Sequence, residues 1–439
     1  GGSSDTETMA GKGGAERGER GQRRTGSILI LTNRIGTFSG HTGGGSAMRE
    51  KLCAALVREG YELKMFAAGK HESADVVFTD YCPMMLPTWR ALKSIWKLLK
   101  ESDLVIVSGS YTPCIPFGLL MAKILGIRSL VIFTTDSDQV VRTYYQGIER
   151  LVWWYLYSWT DRLTASLASK VYTRSEEYQA KLRNLHGICC DGVMVQSDQY
   201  GAFHAEQRDS DEEIRKARDL LSGGNSHRPL MIYAGRWAAE KRIELLVANK
   251  PRDFIVAIVG NGDGSGAADA IHAMHNPDEG VICLREFVSH DRLRVMYKAA
   301  DIHASASDFE SLGNSAHESL LCGTPVVLQR AGGYISQVEG EEQGFLVDWK
   351  DKQEVQEALR KALKLKNKVH PRQRKTEEGT EIVRRLLAKP GPALLPCSLY
   401  GWRVLLPWTL RFPAFLVLTM AYVNLPNSWP RALVQGQAK

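Results

Sequence analysis

Cysteine is scarce in this sequence, with 8 residues in a chain of 439. So few thiols exclude a disulfide scaffold, and none of their spacings matches a zinc site. Long apolar runs are also missing, because the longest charge-free stretch near the end, 412–429, is interrupted by Pro413 and Pro426. A helix that spans a membrane needs about 20 apolar residues in a row. There is no fixed-period repeat, so disulfide-rich domains, polytopic membrane proteins and repeat arrays are excluded.

What is present is an ordinary globular composition, with 44% hydrophobic and 24% charged residues. At about 150 residues per domain, the length predicts two or three domains. The net charge is +7, and residues 360–375 alone carry eight basic side chains and no acidic one. The rest of the chain is therefore close to neutral. Two interpretations of this basic run stay open: the solvated end of a helix, or a contact with an anionic membrane surface.

The order of apolar and polar stretches indicates how the chain is divided. Residues 1–26 are rich in Gly, Ser, Arg and Glu and predict a disordered tail. Short strands alternate with helices over 27–204 and again over 229–365, and the polar stretch 205–228 predicts a connection between these two parts. Such alternation is typical of doubly wound parallel sheets, so we predict an α/β fold with two Rossmann-like domains. We interpret 366–439 as a basic and apolar C-terminal tail.

Doubly wound sheets bind ligands at the carboxyl ends of their strands, here in a cleft between the two domains. The first predicted strand is followed by a glycine-rich loop that contains Gly40, Gly43 and Gly44. Glycine has no Cβ, so this loop allows its backbone to approach a ligand closely. A flexible surface loop is the alternative.

The most specific segment is 308–327, in which Glu310 and Glu318 lie on either side of Gly313. We predict that Glu310 lies in a loop before a helix and that Glu318 lies on the second turn of that helix. The loop with Ser311, Leu312 and Gly313, together with the helix N-terminus, predicts an anion site. The two oxygens of Glu318 suit the paired hydroxyls of a ribose.

Two further segments follow predicted strands of the second domain. In 233–241, Arg236 and Lys241 follow Gly235 at a spacing that can bracket two phosphates, the arginine as a fork and the lysine as a point charge. Surface charge near the start of a helix is the alternative. In 259–264, Gly260 and Gly262 form a loop, for which an ordinary strand-to-helix turn is the alternative.

These segments, in this order, resemble those of the retaining glycosyltransferases of the GT4 family. The shared patterns are E-x7-E at 310–318, G-R-x3-E-K at 235–241, V-G-x-G at 259–262 and A-G-G at 331–333. The resemblance covers roughly 27–365 and implies the GT-B fold, in which two Rossmann-like domains face a cleft. It further implies a nucleotide-sugar donor, no metal ion and no cofactor. Catalytic roles are implied for Glu310, Arg236, Lys241 and Asp136, and donor binding for Gly40, Gly43, Gly44, Gly235, Arg236, Lys241, Gly260, Gly262, Ser311, Leu312, Gly313 and Glu318.

One position departs from the family pattern. In 133–136, Thr134 stands where the family has a histidine that contacts the donor sugar, while Asp136 is retained. This departure suggests one alternative to a transferase, a catalytically inactive protein that binds a nucleotide-sugar. A nucleotide-sugar epimerase on the same fold is a second alternative.

Within the family, the sequence is most similar to the sulfoquinovosyltransferases of plastids and cyanobacteria, on residues 38–40, 228–236 and 240–246. This similarity implies a UDP-linked donor such as UDP-sulfoquinovose and a lipid acceptor such as diacylglycerol. It also implies membrane association on the plastid or cytoplasmic side. No basic-aromatic module is visible, so we expect no nucleic acid partner.

Both ends of the chain leave questions open. The sequence begins with Gly1 and its first methionine is Met9, which is compatible with a longer natural N-terminus. The Leu-, Trp- and Pro-rich segment 390–439 has two interpretations: a membrane-surface anchor, or the mistranslated end of a gene model.

Overall fold

The structure is a computed structural model that describes residues 26–32, 44–68, 76–78, 89–108, 114–203, 209–262, 266–372 and 375–388. The predictions made for the N-terminal tail, for Gly40 and Gly43, and for the segment 390–439 lie outside these residues.

The first domain alternates strands and helices from residue 27 onward. Its strands are β1 (Ser27–Thr32), β2 (Glu62–Ala68), β3 (Val76–Phe78), β4 (Leu104–Ser108), β5 (Arg128–Ile132), β6 (Lys170–Thr173) and β7 (Gly192–Val195). Its helices are α1 (Gly44–Arg58), α2 (Trp89–Lys100), α3 (Cys114–Ile124), α4 (Ser137–Tyr144), α5 (Gly147–Leu167) and α6 (Glu176–His186). A 3₁₀ turn, Ser197–Phe203, leads toward the second domain.

The second domain repeats the same alternation. Its strands are β8 (Leu230–Ala234), β9 (Ile255–Gly260), β10 (Val281–Arg285), β11 (Ile302–Ser305), β12 (Val326–Gln329) and β13 (Gly344–Val347). Its helices are α7 (Asp211–Ser222), α8 (Ile243–Asn249), α9 (Ala267–His272), α10 (His290–Ala299), α11 (Asn314–Leu321) and α12 (Lys352–Ala362). The described chain then ends with β14 (Glu377–Glu378) and α13 (Gly379–Leu387).

The described strands form two separate parallel sheets. The first has the order β14-β7-β6-β5-β4-β1-β2-β3, and the second has the order β10-β9-β8-β11-β12-β13. Strand β1 shows why such runs are continuously apolar: Leu29 and Leu31 pack into one core and Ile28 and Ile30 into another. Side chains alternate along a strand, so a sheet covered on both faces requires apolar residues at every position. This architecture confirms the predicted α/β class.

The predicted connection 205–228 differs from a plain linker, because 211–222 is helix α7. This helix packs against α10, and Leu221 is buried beside Leu230 in a core of the second domain. Ser210 and Glu213 close a capping box at its start. That pattern is a helix-start signal readable from the sequence, which the high content of charged residues had obscured.

The prediction of a tail from residue 366 is wrong for the last described elements. Strand β14 pairs in parallel with β7, and helix α13 buries Ile382, Val383 and Leu386 in the core that contains Ile28. The chain thus returns to the first domain, because an amphipathic helix is stabilised only when its apolar face is covered. None of the described helices is long and apolar enough to cross a membrane.

Candidate active site

An open cleft lies between the two domains. It lies beyond the carboxyl ends of β5, β8 and β11, which is where parallel α/β sheets bind ligands. The domains also touch here, since the rings of Tyr178 and Phe309 meet edge to face at 5.6 Å. The cleft brings together these predicted residues: Thr134, Asp136, Arg236, Lys241, Glu310 and Ser311.

Arg236 lies in the loop after β8 and forms an ion pair with Glu240. The other oxygen of Glu240 accepts a hydrogen bond of 2.9 Å from the hydroxyl of Tyr144, which belongs to the first domain. Burial, followed by the nearby charge of Glu240, raises the pKa of Tyr144 to about 12, so the hydroxyl keeps its proton at neutral pH. Glu240 therefore connects Arg236 of the second domain to Tyr144 of the first domain.

Sequence reasoning assigned no role to either Glu240 or Tyr144. Glu240 was visible as the acidic residue of G-R-x3-E-K. Tyr144 carries no sequence signal, because it is 96 positions away from the carboxylate that it contacts.

Lys241 forms an ion pair with Glu310, and both side chains are mostly shielded from solvent. The two residues come from different loops, the 3₁₀ turn Ala239–Lys241 and the loop after β11. Shielding from water strengthens the attraction between such charges. Any anion that reaches Lys241 therefore competes with Glu310.

A glycine turn holds the loop of Glu310 in place. The N–H of Gly333 donates a hydrogen bond of 2.7 Å to the carbonyl oxygen of Glu310. Gly332 has φ +53°, and a Cβ added there would lie 2.8 Å from the same oxygen. Only glycine allows these two backbones to approach so closely. The A-G-G pattern thus acts by positioning Glu310.

The side chains of Gln337 and Tyr334 hold the backbone at the start of α11 in place. Gln337 Nε2 donates to the carbonyl oxygens of Leu312 at 2.7 Å and of Gly313 at 2.8 Å. Gly313 has φ +82° and lies directly beside the ring of Tyr334, which leaves no room for a Cβ. Leu312 is buried, so of its atoms only the backbone is suited to ligand contact, whereas Ser311 lines the cleft.

Glu318 lies on the second turn of α11, as the sequence predicted, but it does not line the cleft described above. Its Oε2 accepts a hydrogen bond of 3.4 Å from the hydroxyl of the fully buried Tyr297. Burial raises the pKa of Glu318 to about 7. Its carboxyl group is therefore poorly hydrated in the free protein and suited to accept further hydrogen bonds.

Glu318→Gln is expected to stabilise the free protein at about pH 8 by on the order of 1 to 3 kcal/mol, and much less at about pH 4. The reason is the raised pKa: as pH rises from 4.5 to about 7, the unfolded chain loses its proton before the folded protein does. The free energy of unfolding of the wild type therefore falls across this window. Urea unfolding at both pH values measures the difference.

The matched control is Glu244→Gln, at an exposed position at the start of α8. It is expected to give no gain that depends on pH. An equal gain for Glu318→Gln at both pH values would contradict the assignment of this effect to its carboxyl group.

The two glycine loops of the second domain lie against each other. Trp237 N–H donates a hydrogen bond of 2.7 Å to the carbonyl oxygen of Asn261, and Trp237 forms a parallel bridge with Gly262. Gly260 has φ +147°, and a Cβ there would overlap the carbonyl oxygen of Gly235. Close backbone packing therefore requires glycine at these positions. The same packing fixes the direction in which Arg236, the residue after Gly235, leaves β8.

On the first domain, Asp136 caps α4 by accepting a hydrogen bond of 3.1 Å from the N–H of Asp138. Lys181 pairs with both carboxylates and lies 4.5 Å from the ring centre of Phe309. Burial raises the pKa of Asp136, and Lys181 acts in the opposite direction. Asp136-Ser137-Asp138 is an Asp-x-Asp pattern, yet a lysine ammonium occupies the position between its carboxylates. No pattern in the sequence indicates Lys181.

Thr134 lines the cleft directly before this cap, so the position that departs from the family pattern is indeed part of the site. Gly44 is the first residue of α1, while Gly40 and Gly43 lie outside the described residues. Among the residues that the structure describes, no group of three or more His, Cys, Asp or Glu is placed to hold a metal ion.

Comparison with known families and sequences identifies the second domain. Residues 217–380 match the family of glycosyl transferases, group 1. A D-inositol 3-phosphate glycosyltransferase of Catenulispora acidiphila is 38% identical over 109 residues, which cover 23% of this chain and 26% of that protein. A sulfoquinovosyl transferase of Arabidopsis thaliana is 30% identical over 146 residues, which cover 33% of this chain and 26% of that protein. The chain thus matches only about a quarter of the length of these two relatives.

Solved structures extend the likeness to both domains at the level of the fold. The Anabaena protein HepE, crystallised with UDP and glucose, superposes with a TM-score of 0.58 at 17% identity and covers 89% of this chain and 100% of its own. Sucrose-phosphate synthase of Thermosynechococcus elongatus has a TM-score of 0.54 at 17% identity, covering 90% of this chain and 99% of its own. The predicted GT-B fold is confirmed, and the match to the group 1 glycosyltransferase family extends over residues 217–380.

Proposed function

We propose that this protein is a retaining glycosyltransferase that moves a sugar from a UDP-linked donor, with UDP-sulfoquinovose as one candidate, to a membrane lipid such as diacylglycerol. The observation that carries the proposal is the meeting of Arg236, Lys241 and Glu310 in one cleft. The cleft lies at the carboxyl ends of the strands of a group 1 glycosyltransferase domain. Asp136 faces them from the other domain.

The proposed mechanism consists of positioning and electrostatic stabilisation. Arg236 and Lys241 exchange their partners Glu240 and Glu310 for the two phosphates of the donor. As the bond between the sugar and the phosphate breaks, both cations and the N-terminus of α11 stabilise the negative charge that develops on the diphosphate. The hydroxyl oxygen of the acceptor bonds to the sugar carbon, and its proton passes to a phosphate oxygen of the leaving group. This scheme requires no metal ion.

The residues around this centre have supporting roles in the proposal. Glu318 binds the ribose hydroxyls, while Gly235, Gly260 and Gly262 shape the loops near the nucleotide. Glu310 and Asp136 orient the sugar from opposite sides of the cleft.

Calorimetric titration with UDP tests the donor site. Arg236→Ala is expected to weaken binding by about 10- to 100-fold, because a hydrogen bond to a charged group contributes about 1.5–3 kcal/mol. Glu318→Ala is expected to weaken it as well, through the ribose. The proposal fails if both variants bind UDP as the wild type does.

The sugar and the acceptor require a separate experiment. The relatives named above differ in their acceptors, since one is named for D-inositol 3-phosphate and another for sulfoquinovosyl transfer. A panel of nucleotide-sugars is therefore incubated with diacylglycerol vesicles or with inositol phosphate, and products are identified by mass spectrometry. A glycosylated lipid supports the proposal, and a glycosylated inositol phosphate would replace the lipid acceptor with a soluble one.

A second candidate function rests on Thr134, which lies in the cleft where the family histidine contacts the donor sugar. In this alternative the protein binds a nucleotide-sugar without transferring it. It would bind UDP but give no turnover with any donor in the panel. An epimerase on the same fold would instead convert the donor sugar in the absence of any acceptor.

A further inference from the structure

Three neighbouring helices of the first domain leave large apolar side chains in solvent. Helix α3 packs against both α2 and α5, and all three cover the same face of the first sheet. On these three helices, the most exposed apolar side chains are those of Trp89 at 70%, Ile148 and Leu151 at 67% each, Ile124 at 53% and Leu120 at 43%. We call these residues, together with Phe117, the apolar face.

The apolar face has a regular arrangement on α3. Phe117, Leu120 and Ile124 are spaced three and four residues apart, so their side chains form one stripe along the helix. Single exposed apolar residues are common, but a group on adjoining helices is typical of an interaction site.

Positive charge lies along one side of this face, on α2. Helix α2 exposes four basic side chains and contains no acidic residue, and α3 contains none either. The ammonium groups of Lys93 and Lys100 lie 5.8 Å and 5.7 Å from the ring centres of Trp89 and Trp96. Tryptophan beside lysine on a surface helix favours the interface between lipid headgroups and acyl chains.

The apolar face begins at the rim of the cleft. In a doubly wound parallel sheet, each helix runs antiparallel to the strands, so its N-terminus lies at their carboxyl edge. Trp89 is the first residue of α2, and Ile148 and Leu151 belong to the first turns of α5. A lipid surface that contacts these residues is therefore next to the opening of the cleft.

Fewer charges of the basic run 360–375 are available to bind a membrane than its sequence indicates. Arg360 pairs with Asp253, Lys361 with Glu357 and Arg372 with Glu339. Lys366 is used inside the second domain, where it donates to Thr324 Oγ1 at 2.5 Å and to the carbonyl oxygen of Tyr297 at 3.2 Å. The charges of α2 have no such set of acidic partners on their own helix.

We infer that the face formed by α2, α3 and α5 docks on the surface of an anionic lipid bilayer and presents the cleft to lipid headgroups. The four cations of α2 bind the acidic headgroups, and Trp89, Ile148 and Leu151 enter the acyl boundary. The idea that docking brings the cleft to its acceptor rests on the proposed lipid acceptor. The docking itself does not depend on that proposal. A second copy of this chain is the competing occupant.

Vesicle co-sedimentation tests this inference in the full chain, with neutral vesicles and with vesicles that contain phosphatidylglycerol. The charge variant replaces the cations of α2 together: R90Q, K93Q, K97Q and K100Q. The matched control removes the same number of positive charges from exposed positions of the second domain: K352Q, K361Q, K364Q and K368Q. An apolar variant combines W89S, I148S and L151S, and F287S is its control.

The wild type is expected to bind anionic vesicles and to dissociate as salt is added. The charge variant and the apolar variant are each expected to bind at least about tenfold more weakly, and the two controls within about threefold of the wild type. Equal losses in the charge variant and its control would overturn the inference, as would unchanged binding of both face variants. A wild-type dimer in sedimentation velocity that the apolar variant dissociates, without vesicle binding, would assign the face to a second copy.

Two readouts separate this inference from the proposed function. UDP titration in the absence of vesicles is expected to be unchanged in both face variants, which also shows that they are folded. Vesicle binding without any sugar transfer would contradict the proposed function and leave the docking face intact.

Discussion

Replacing Lys241 with glutamine is expected to lower kcat/KM for sugar transfer by about 100- to 1000-fold, the usual loss when one charge-stabilising group is removed from an active site. Two effects add in the same direction. The positive charge that stabilises the leaving diphosphate is lost, and the carboxylate of Glu310, now without its ion pair, faces the incoming phosphates. Removal of one partner from a shielded ion pair costs more than the pair contributes.

The neighbouring residue supplies a close control. Arg242→Gln also removes a positive charge, but Arg242 pairs with Asp308 and does not line the cleft. We expect this variant to retain kcat/KM within about threefold of the wild type, because Arg242 lies outside the cleft and an ion pair whose Asp308 side chain is 47% exposed contributes little. Steady-state kinetics, with the donor that mass spectrometry identifies, measures kcat/KM for both variants. UDP calorimetry measures their binding of the nucleotide. Equal losses for the two variants would show that general charge, rather than Lys241 itself, is required.

The second large effect is expected from Gly260→Ala, which should lower the free energy of unfolding by about 3 to 5 kcal/mol. Gly260 has φ +147°, and an added Cβ would meet the carbonyl oxygen of Gly235. The obstacle is backbone, so no rotamer change relieves it and one of the two loops has to move. Because Arg236 follows Gly235 directly, we also expect the folded fraction to bind UDP more weakly. Urea unfolding followed by UDP titration measures the two effects.

Gly224→Ala separates crowding from backbone conformation. Gly224 has φ +85°, and a Cβ there would meet nothing within 4 Å. This variant therefore carries only the cost of a left-handed backbone, about 1 to 2 kcal/mol. If Gly260→Ala were no more destabilising than Gly224→Ala, the close contact between the two loops would not be important for stability.

Much of the fold could be read from apolar runs, because strands buried on both faces have apolar residues at every position, as 28–31 and 255–259 do. Strand β14 could not be read in this way. It consists of Glu377 and Glu378 alone, and it pairs with β7 because α13 packs beside it on the first sheet. Two charged residues carry no strand signal, so only the packing of the following helix explains their place. For α7, by contrast, the signal at Ser210 and Glu213 was present in the sequence.

The apolar face could not be predicted from the sequence either. The pattern of α2 predicts an amphipathic helix, but it does not indicate that the stripe on α3 and the start of α5 are exposed beside it. That arrangement depends on which helices share a face of the sheet. The basic run 360–375 shows the reverse: it stands out in the sequence, and the fold pairs or buries much of its charge.

The sequence by itself determined which groups reach the cleft. Arg236, Lys241 and Glu310 each follow a strand of a parallel sheet, and the carboxyl ends of such strands always meet at one edge. Only the tertiary structure decided which contacts join residues of separate loops. Lys241 contacts a carboxylate 69 positions away, and Tyr144 contacts Glu240 across 96 positions and from the other domain. Such pairs depend on the distance and direction between side chains of separate loops, which the packing of the two domains sets and no local pattern encodes.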